Sequence, residues 1–224
     1  MLQACPKIHL LGFCLLATFL VSAQPVEKKS VEPRFNVLFG LSQPLVANGF
    51  NFEVDVFYKR LAFDFSHGVS LDFSGKGVTG DVAKQKLAVH IPYTTGFGIG
   101  YRFTNAFSLR IEPKWHQFEL YYDGEAQTPA DRITRYNTFS LGVGAYYCWL
   151  PFQAKTNALK GIMISPSVRY WPTVSSTLSD DKITYANKMT GVQQTHERMQ
   201  PGIANTPLVI NVSVGYSFLL RKKK

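Results

Sequence analysis

The chain has 224 residues, of which 17 are Phe and 11 Tyr, with a net charge of +9 and a mean hydropathy of −0.04. The length suits one domain of ordinary size. Beyond the extreme N-terminus no apolar run is long enough for a spanning helix, and the aromatic, alternating composition excludes a helical bundle.

Residues 1–23 read as a secretory signal. Lys7 and His9 form a short basic region, "LLGFCLLATFLV" is the apolar core, and Val21-Ser22-Ala23 places small residues for cleavage before Gln24. An uncleaved membrane anchor would want a longer run. A lipoprotein would want a small residue before Cys14, where bulky Phe13 stands. With Cys5 and Cys14 removed, Cys148 is the remaining thiol, which excludes an intrachain disulfide and a multi-cysteine zinc site. Residues 24–33 follow as a periplasmic N-terminal segment.

From residue 34 to residue 220 the chain alternates apolar and polar at period two in eight segments. These are 34–43, 50–58, 61–73, 89–103, 107–118, 137–149, 161–172 and 207–220. In the fourth, Phe97, Ile99, Tyr101 and Phe103 share one face while Gly96, Gly98, Gly100 and Arg102 share the other. In the sixth, Phe139, Leu141, Val143 and Ala145 oppose Ser140, Gly142, Gly144 and Tyr146, and in the eighth Gly215 stands on the polar face. No amphipathic helix separates the segments, which excludes a parallel α/β sheet.

The connections alternate in length. Lys59-Arg60 and Thr104-Asn105-Ala106 are minimal and 150–160 is moderate, whereas 44–49, 74–88, 119–136 and 173–206 are mostly longer and richer in Gly, Thr, Asp and Asn. Short turns on one rim and long loops on the other predict an all-β, eight-stranded, antiparallel up-and-down transmembrane β-barrel. Aromatic residues fall where interfacial girdles belong. Phe35, Tyr58, Phe103, Phe107, Trp149 and Phe218 lie at the short-turn rim, and Phe50, Phe73, Tyr93, Trp115 and Tyr170 near the other.

The basic residues gather at the short-turn rim and the termini: Lys28, Lys29, Arg34, Lys59, Arg60, Lys155, Lys160, Arg221, Lys222, Lys223 and Lys224, against Glu27 and Glu32. A rim of this kind suits anionic headgroups. A nucleic-acid surface would interleave bases and exposed aromatics along one groove, and that pattern is absent. The inner face carries Glu53, Asp55, Asp64, Arg102, Arg110, Glu112, Lys114 and Arg169, which predicts a lumen charge network. Such a network either plugs the lumen through paired charges or lines a narrow ion path. Arg102, Arg110 and Glu112 are the expected centre of the network. The lumen glycines, Gly96, Gly98, Gly100, Gly142, Gly144 and Gly215, allow tight curvature and leave volume for long charged side chains.

His67, His90, His116 and His196 lie on different segments and form no recognisable triad. By parity His67 faces lipid, which a bulge at Gly68 or a headgroup-level position would explain. No catalytic residue, cofactor site or metal site is expected. Pro113 and Pro166 fall inside strands and predict bulges or local distortions. Residues 173–206 are expected to extend the last two strands above the membrane, with "DKITYANKMTG" as an exposed strand-turn segment.

"TGFGIGYRF", "FSLGVGAYY" and "NVSVGYSF" resemble the strands of small outer-membrane β-barrel proteins, specifically the eight-stranded barrel-domain proteins of Bacteroidota, distantly like the OmpA transmembrane domain. The resemblance spans about residues 34–220 and rests on periodicity and texture. It implies a monomer in the Gram-negative outer membrane, contacting outer-membrane lipids and inserted by the barrel assembly machinery. Phe218 would be the aromatic that this machinery reads, although the basic tail 221–224 follows it. The implied role is structural or one of surface interaction. A narrow ion or small-solute channel, a lipid-modifying barrel enzyme near His67 and a soluble exported barrel holding an apolar ligand are the alternatives.

Overall fold

The computed structural model describes residues 31–73, 86–188 and 190–220. The expected signal segment and the basic tail 221–224 lie outside the described residues.

Strands β1 (Arg34–Gly40), β2 (Phe50–Tyr58), β3 (Leu61–Phe73), β4 (Leu87–Arg102), β5 (Phe107–Tyr122), β6 (Thr134–Tyr147), β7 (Ile162–Tyr170) and β11 (Leu208–Leu219) form a closed antiparallel ring in that order. Closure is made by β11, which pairs with β1 from Arg34↔Leu219 to Gly40↔Ser213. Each of these eight strands falls on one of the eight alternating segments, but β1 stops at Gly40 rather than 43, β6 at Tyr147 rather than 149 and β7 at Tyr170 rather than 172. At the long-loop rim β4, β5 and β6 run past the expected ends, to Leu87, Tyr122 and Thr134. A short helix α1 (Ser42–Val46) joins β1 to β2.

The wall is inside-out relative to a soluble barrel. Phe97, Ile99 and Tyr101 on β4, Leu109 and Ile111 on β5, and Leu141 and Val143 on β6 are each about half exposed, while the opposite parity is buried and polar. An apolar band around the whole outer wall with a polar interior is the architecture of a transmembrane β-barrel.

Tight turns need special backbone or side-chain support. Lys59 takes a positive φ of 51° in the β2–β3 turn, and Thr104 Oγ1 accepts from the N–H groups of Ala106 and Phe107 in the β4–β5 turn. The two strand prolines leave gaps without shifting register. The β4–β5 ladder is regular on both sides of Pro113 but skips it, while Pro113 still pairs with Leu141 on β6. Likewise the β6–β7 ladder runs from Val143↔Tyr170 to Tyr146↔Ser167 and resumes at Trp149↔Ile164, beyond Pro166. Of the expected bulge or local distortion, each proline therefore shows the distortion alone, a gap in one ladder, because proline withholds a single N–H on one side only.

Irregularity occurs elsewhere. Ser70 takes a φ of 52°, and the β4–β5 register shifts between His90 and Thr94. Gly68, by contrast, pairs regularly with Thr94, so the expected bulge there is not present. One inserted residue reverses the side-chain parity. Above these points Leu71, Val89 and Ile91 turn inward and join Phe118, Leu120 and Tyr136 in an apolar core at the long-loop end.

Residues 173–206 do not simply lengthen two strands. β8 (Thr173–Ser176) continues β7 beyond Trp171 and pairs with β6, whereas β9 (Lys182–Ala186) and β10 (Gln193–Glu197) form their own hairpin. The "DKITYA" face is half buried: Ile183 and Tyr185 enter the upper core with Met199.

Candidate functional site

The middle of the barrel interior holds four carboxylates, Glu53, Asp55, Asp64 and Glu112, and three cations, Arg110, Lys114 and Arg169, all buried. Alternation along β2, β3, β5 and β7 places each of them inward. Arg110 is the hub. One terminal nitrogen lies 2.8 Å from Glu53, 2.9 Å from Asp55 and 3.2 Å from Asp64. Arg169 reaches Glu53 from the other side at 3.0 Å. Lys114 donates to Ser66 Oγ and stands 3.9 Å from both Asp64 and Glu112.

Neutral donors complete the surroundings of Glu112 and Asp55, whereas the Asp64 oxygens are met by the Arg110 and Lys114 charges alone among the described residues. Glu112 accepts from the Tyr146 hydroxyl and from Trp171 Nε1, and Asp55 accepts from Asn36 Nδ2. The Arg110 guanidinium lies 3.8 Å and that of Arg169 4.8 Å from the Tyr146 ring centroid, so one aromatic ring serves both cations. Charges so far from water persist only with such partners.

The lumen glycines are placed by the same ladders. Gly96 pairs with Lys114, Gly98 with Asp64, Gly100 with Arg110, Gly142 with Glu112, and Gly144 with both Arg110 and Arg169. Arg110, Lys114, Glu112, Arg169 and Asp64 thus each have a bare neighbour, whereas Glu53 pairs with Leu38 and Ser66. Gly215 differs, pairing with Leu38 and Met163, and a Cβ there would strike the Val37 carbonyl.

Arg102 is not part of this network. It lies one same-face step, two ladder pairs, nearer the short turns, where its guanidinium donates to the backbone carbonyls of Glu32 and Lys59 at 2.9 and 3.2 Å. It also covers the Phe57 ring at 4.3 Å. The reason is height: alternation fixes the face a residue occupies, and Arg102 pairs with Ser108 rather than Arg110. Tyr146, Trp171, Asn36 and Ser66 are contributors that the charge pattern did not single out. Tyr146 and Trp171 share the inward parity of Gly144 and Arg169, and that parity was the signal available.

His67 lies outward, hydrogen-bonded to Thr95 Oγ1 at 3.1 Å and 5.9 Å from the Phe52 ring. Phe218 pairs with Phe35 across the β1–β11 seam, ring centroids 6.2 Å apart. Above the membrane band, Glu119 accepts from Tyr121 at 2.9 Å and Arg132 at 2.7 Å, with His90 at 3.4 Å. Burial alone would raise its pKa, but the hydrogen bonds of Tyr121 and His90 and the charge of Arg132 hold it below the ordinary glutamate range.

No family model and no curated protein sequence matches the chain. Among solved structures it is similar to Ail, the attachment invasion locus protein of Yersinia pestis, crystallised with the heparin analogue sucrose octasulfate. That similarity has 12% identity and a TM-score of 0.41, covering 84% of this chain and 99% of that one. A major outer membrane protein from Thermus thermophilus gives 13% identity and a TM-score of 0.41, covering 83% of this chain and 98% of that one.

Proposed function

We propose that the chain is a non-catalytic integral outer-membrane protein whose lumen is closed by paired charges. Its role is structural or one of contact at the cell surface, carried by the long-loop end. The observation that supports this most is the Arg110 hub. A guanidinium with a fully buried side chain, held by carboxylates from two strands and stacked on Tyr146 of a third, fills the centre of a ring of eight strands. Interiors of this strand number are just wide enough for side chains to fill. The apolar outer wall supports lipid as the surrounding phase, and the basic short-turn residues Lys59, Arg60, Lys155 and Lys160 suit anionic headgroups. His67, committed to Thr95 and Phe52, is read as structural.

The test is electrical. Purified protein folded in detergent, shown folded by a gel mobility that changes on boiling, is added to a planar bilayer. Wild type is expected to give no unitary current, and Arg110→Ala to give one. Steady unitary current from the wild type would replace this reading with the narrow channel. Protein that stays soluble without detergent and shows no boiling shift would remove the membrane reading altogether.

A further inference from the structure

The barrel wall is uneven in height. The β1–β11 ladder ends at Gly40↔Ser213, followed by the Leu41 N–H to Val212 carbonyl bond at 2.9 Å. β11 nevertheless continues to Leu208 along β7, where Leu208 pairs with Tyr170. On the other flank, the β2–β3 ladder ends at Phe50↔Val69, while β3 continues to Phe73 along β4. Two short strands between taller neighbours leave a notch. Helix α1 forms its sill, with Asp72 N–H bonded to the Ala47 carbonyl at 2.6 Å, and residues 199–205 form its roof.

Behind the notch is a half-open cavity of about 550 Å³, inside the ~300–1,000 Å³ range of small-molecule sites. Its depth is lined by buried Leu71, Val89, Ile91 and Met199 of the upper apolar core. Its mouth is framed by Val46, Ile203 and Ile210, exposed by 62, 52 and 51%. The described lining residues include no charged side chain; the polar ones are Ser42, Gln43, Gln200 and Asn205.

The direction of the mouth identifies the occupant. Ile210 has the outward parity of Val212 and pairs with Val168, one same-face step below the Leu208↔Tyr170 pair at the aromatic girdle. The mouth therefore opens on the hydrocarbon side of the girdle and continues the apolar outer wall. Leu45 and Val46, exposed by 79 and 62%, extend that wall across the sill. We propose that this notch is a lateral entry through which one acyl chain of an outer-leaflet lipid seats in the upper cavity, its headgroup remaining outside. The uncharged lining suits a chain and leaves a charged headgroup without a partner inside.

This inference rests on the membrane reading, and the two fail differently. The protein is reconstituted in vesicles containing a phospholipid with a photoreactive diazirine near the end of one acyl chain, then illuminated, digested and mapped by mass spectrometry. Labels are expected on the 86–92 and 199–205 segments as well as on outer-wall residues such as Ile111. Val209→Trp, which narrows the cavity, and Ile203→Glu, which makes its mouth polar, are each expected to cut cavity labelling at least fivefold while wall labelling persists. Wall labelling and the boiling shift report folding and insertion in every sample. Labels confined to the wall in the wild type overturn the proposal, as does unchanged cavity labelling in both folded variants. Loss of all labelling, wall included, would instead count against the membrane reading and the proposal with it.

Discussion

Asp64 and Gly98 are partners across the β3–β4 ladder, and the Asp64 carboxylate occupies the space that a Cβ on Gly98 would fill. The glycine is thus part of the charge network without carrying any charge. In an ordinary strand, replacing glycine by alanine restricts the unfolded chain and stabilises the fold. Here the added methyl must push a buried carboxylate that Arg110 holds at 3.2 Å. Gly98→Ala is expected to destabilise the barrel by about 1–3 kcal/mol, the usual cost of overpacking. A urea titration of vesicle-folded protein measures it. A midpoint at or above that of wild type would show that the glycine serves no packing purpose.

Removing the hub should cost more than crowding its neighbour. Arg110→Ala leaves Glu53, Asp55 and Asp64 facing one another without their shared cation. Breaking a buried pair by deleting one partner costs about 3–5 kcal/mol. Arg110→Met combined with Asp55→Asn and Asp64→Asn removes charge from both sides at once. That triple variant is expected to recover most of the lost stability, since apolar or neutral replacements of buried ion pairs are often tolerated. Equal destabilisation in the single and triple variants would mean that Arg110 acts through its packing on Tyr146 rather than its charge.

Those two residues also mark what the amino-acid pattern could show. Which face Arg110 or Gly98 occupies follows from counting by twos, and the closed ring follows from eight such segments with alternating loop lengths. Height within the lumen does not follow. Arg102 has the right parity, yet a single same-face step places it among backbone carbonyls at the short turns. The bulges were equally hidden. Pro113 and Pro166 drew attention through their missing N–H groups, but the parity reversal occurs at Ser70 and between His90 and Thr94. An inserted residue changes no composition, so Leu71, Val89 and Ile91 read as wall residues although they line the upper core. The cavity beneath the notch depends on that reversal and was correspondingly invisible.

Acid should weaken the long-loop end through Glu119. Its folded pKa is depressed, so the folded state takes up the proton less readily than the unfolded state does. Its stabilising contribution is complete above the unfolded glutamate value of about 4.3 and is lost as pH falls through the lower folded value. Glu119→Gln keeps the shape but not the charge that Arg132 meets at 2.7 Å. The variant is expected to melt earlier than wild type at pH 7, by about 1 kcal/mol, with the gap closing below about pH 4. A gap that stays constant as the pH is lowered through that range would assign the effect to something other than the carboxylate charge.

Phe218 separates a role in assembly from a role in stability. Its ring is 48% exposed on the outer wall and touches Phe35 and Tyr216, with centroids 6.2 and 4.7 Å away. Those contacts are worth about 0.5–1.5 kcal/mol each at most, small beside the closure of the β1–β11 seam. If cellular machinery reads this aromatic, Phe218→Ala should lower the heat-modifiable protein in the outer membrane severalfold. The purified variant should still refold in detergent and lose only a few degrees of melting temperature. Phe35→Ala removes the same ring contact from the opposite strand and is the control. If the two variants reach the membrane in equal amounts, the aromatic pair acts by packing alone and Phe218 carries no assembly signal.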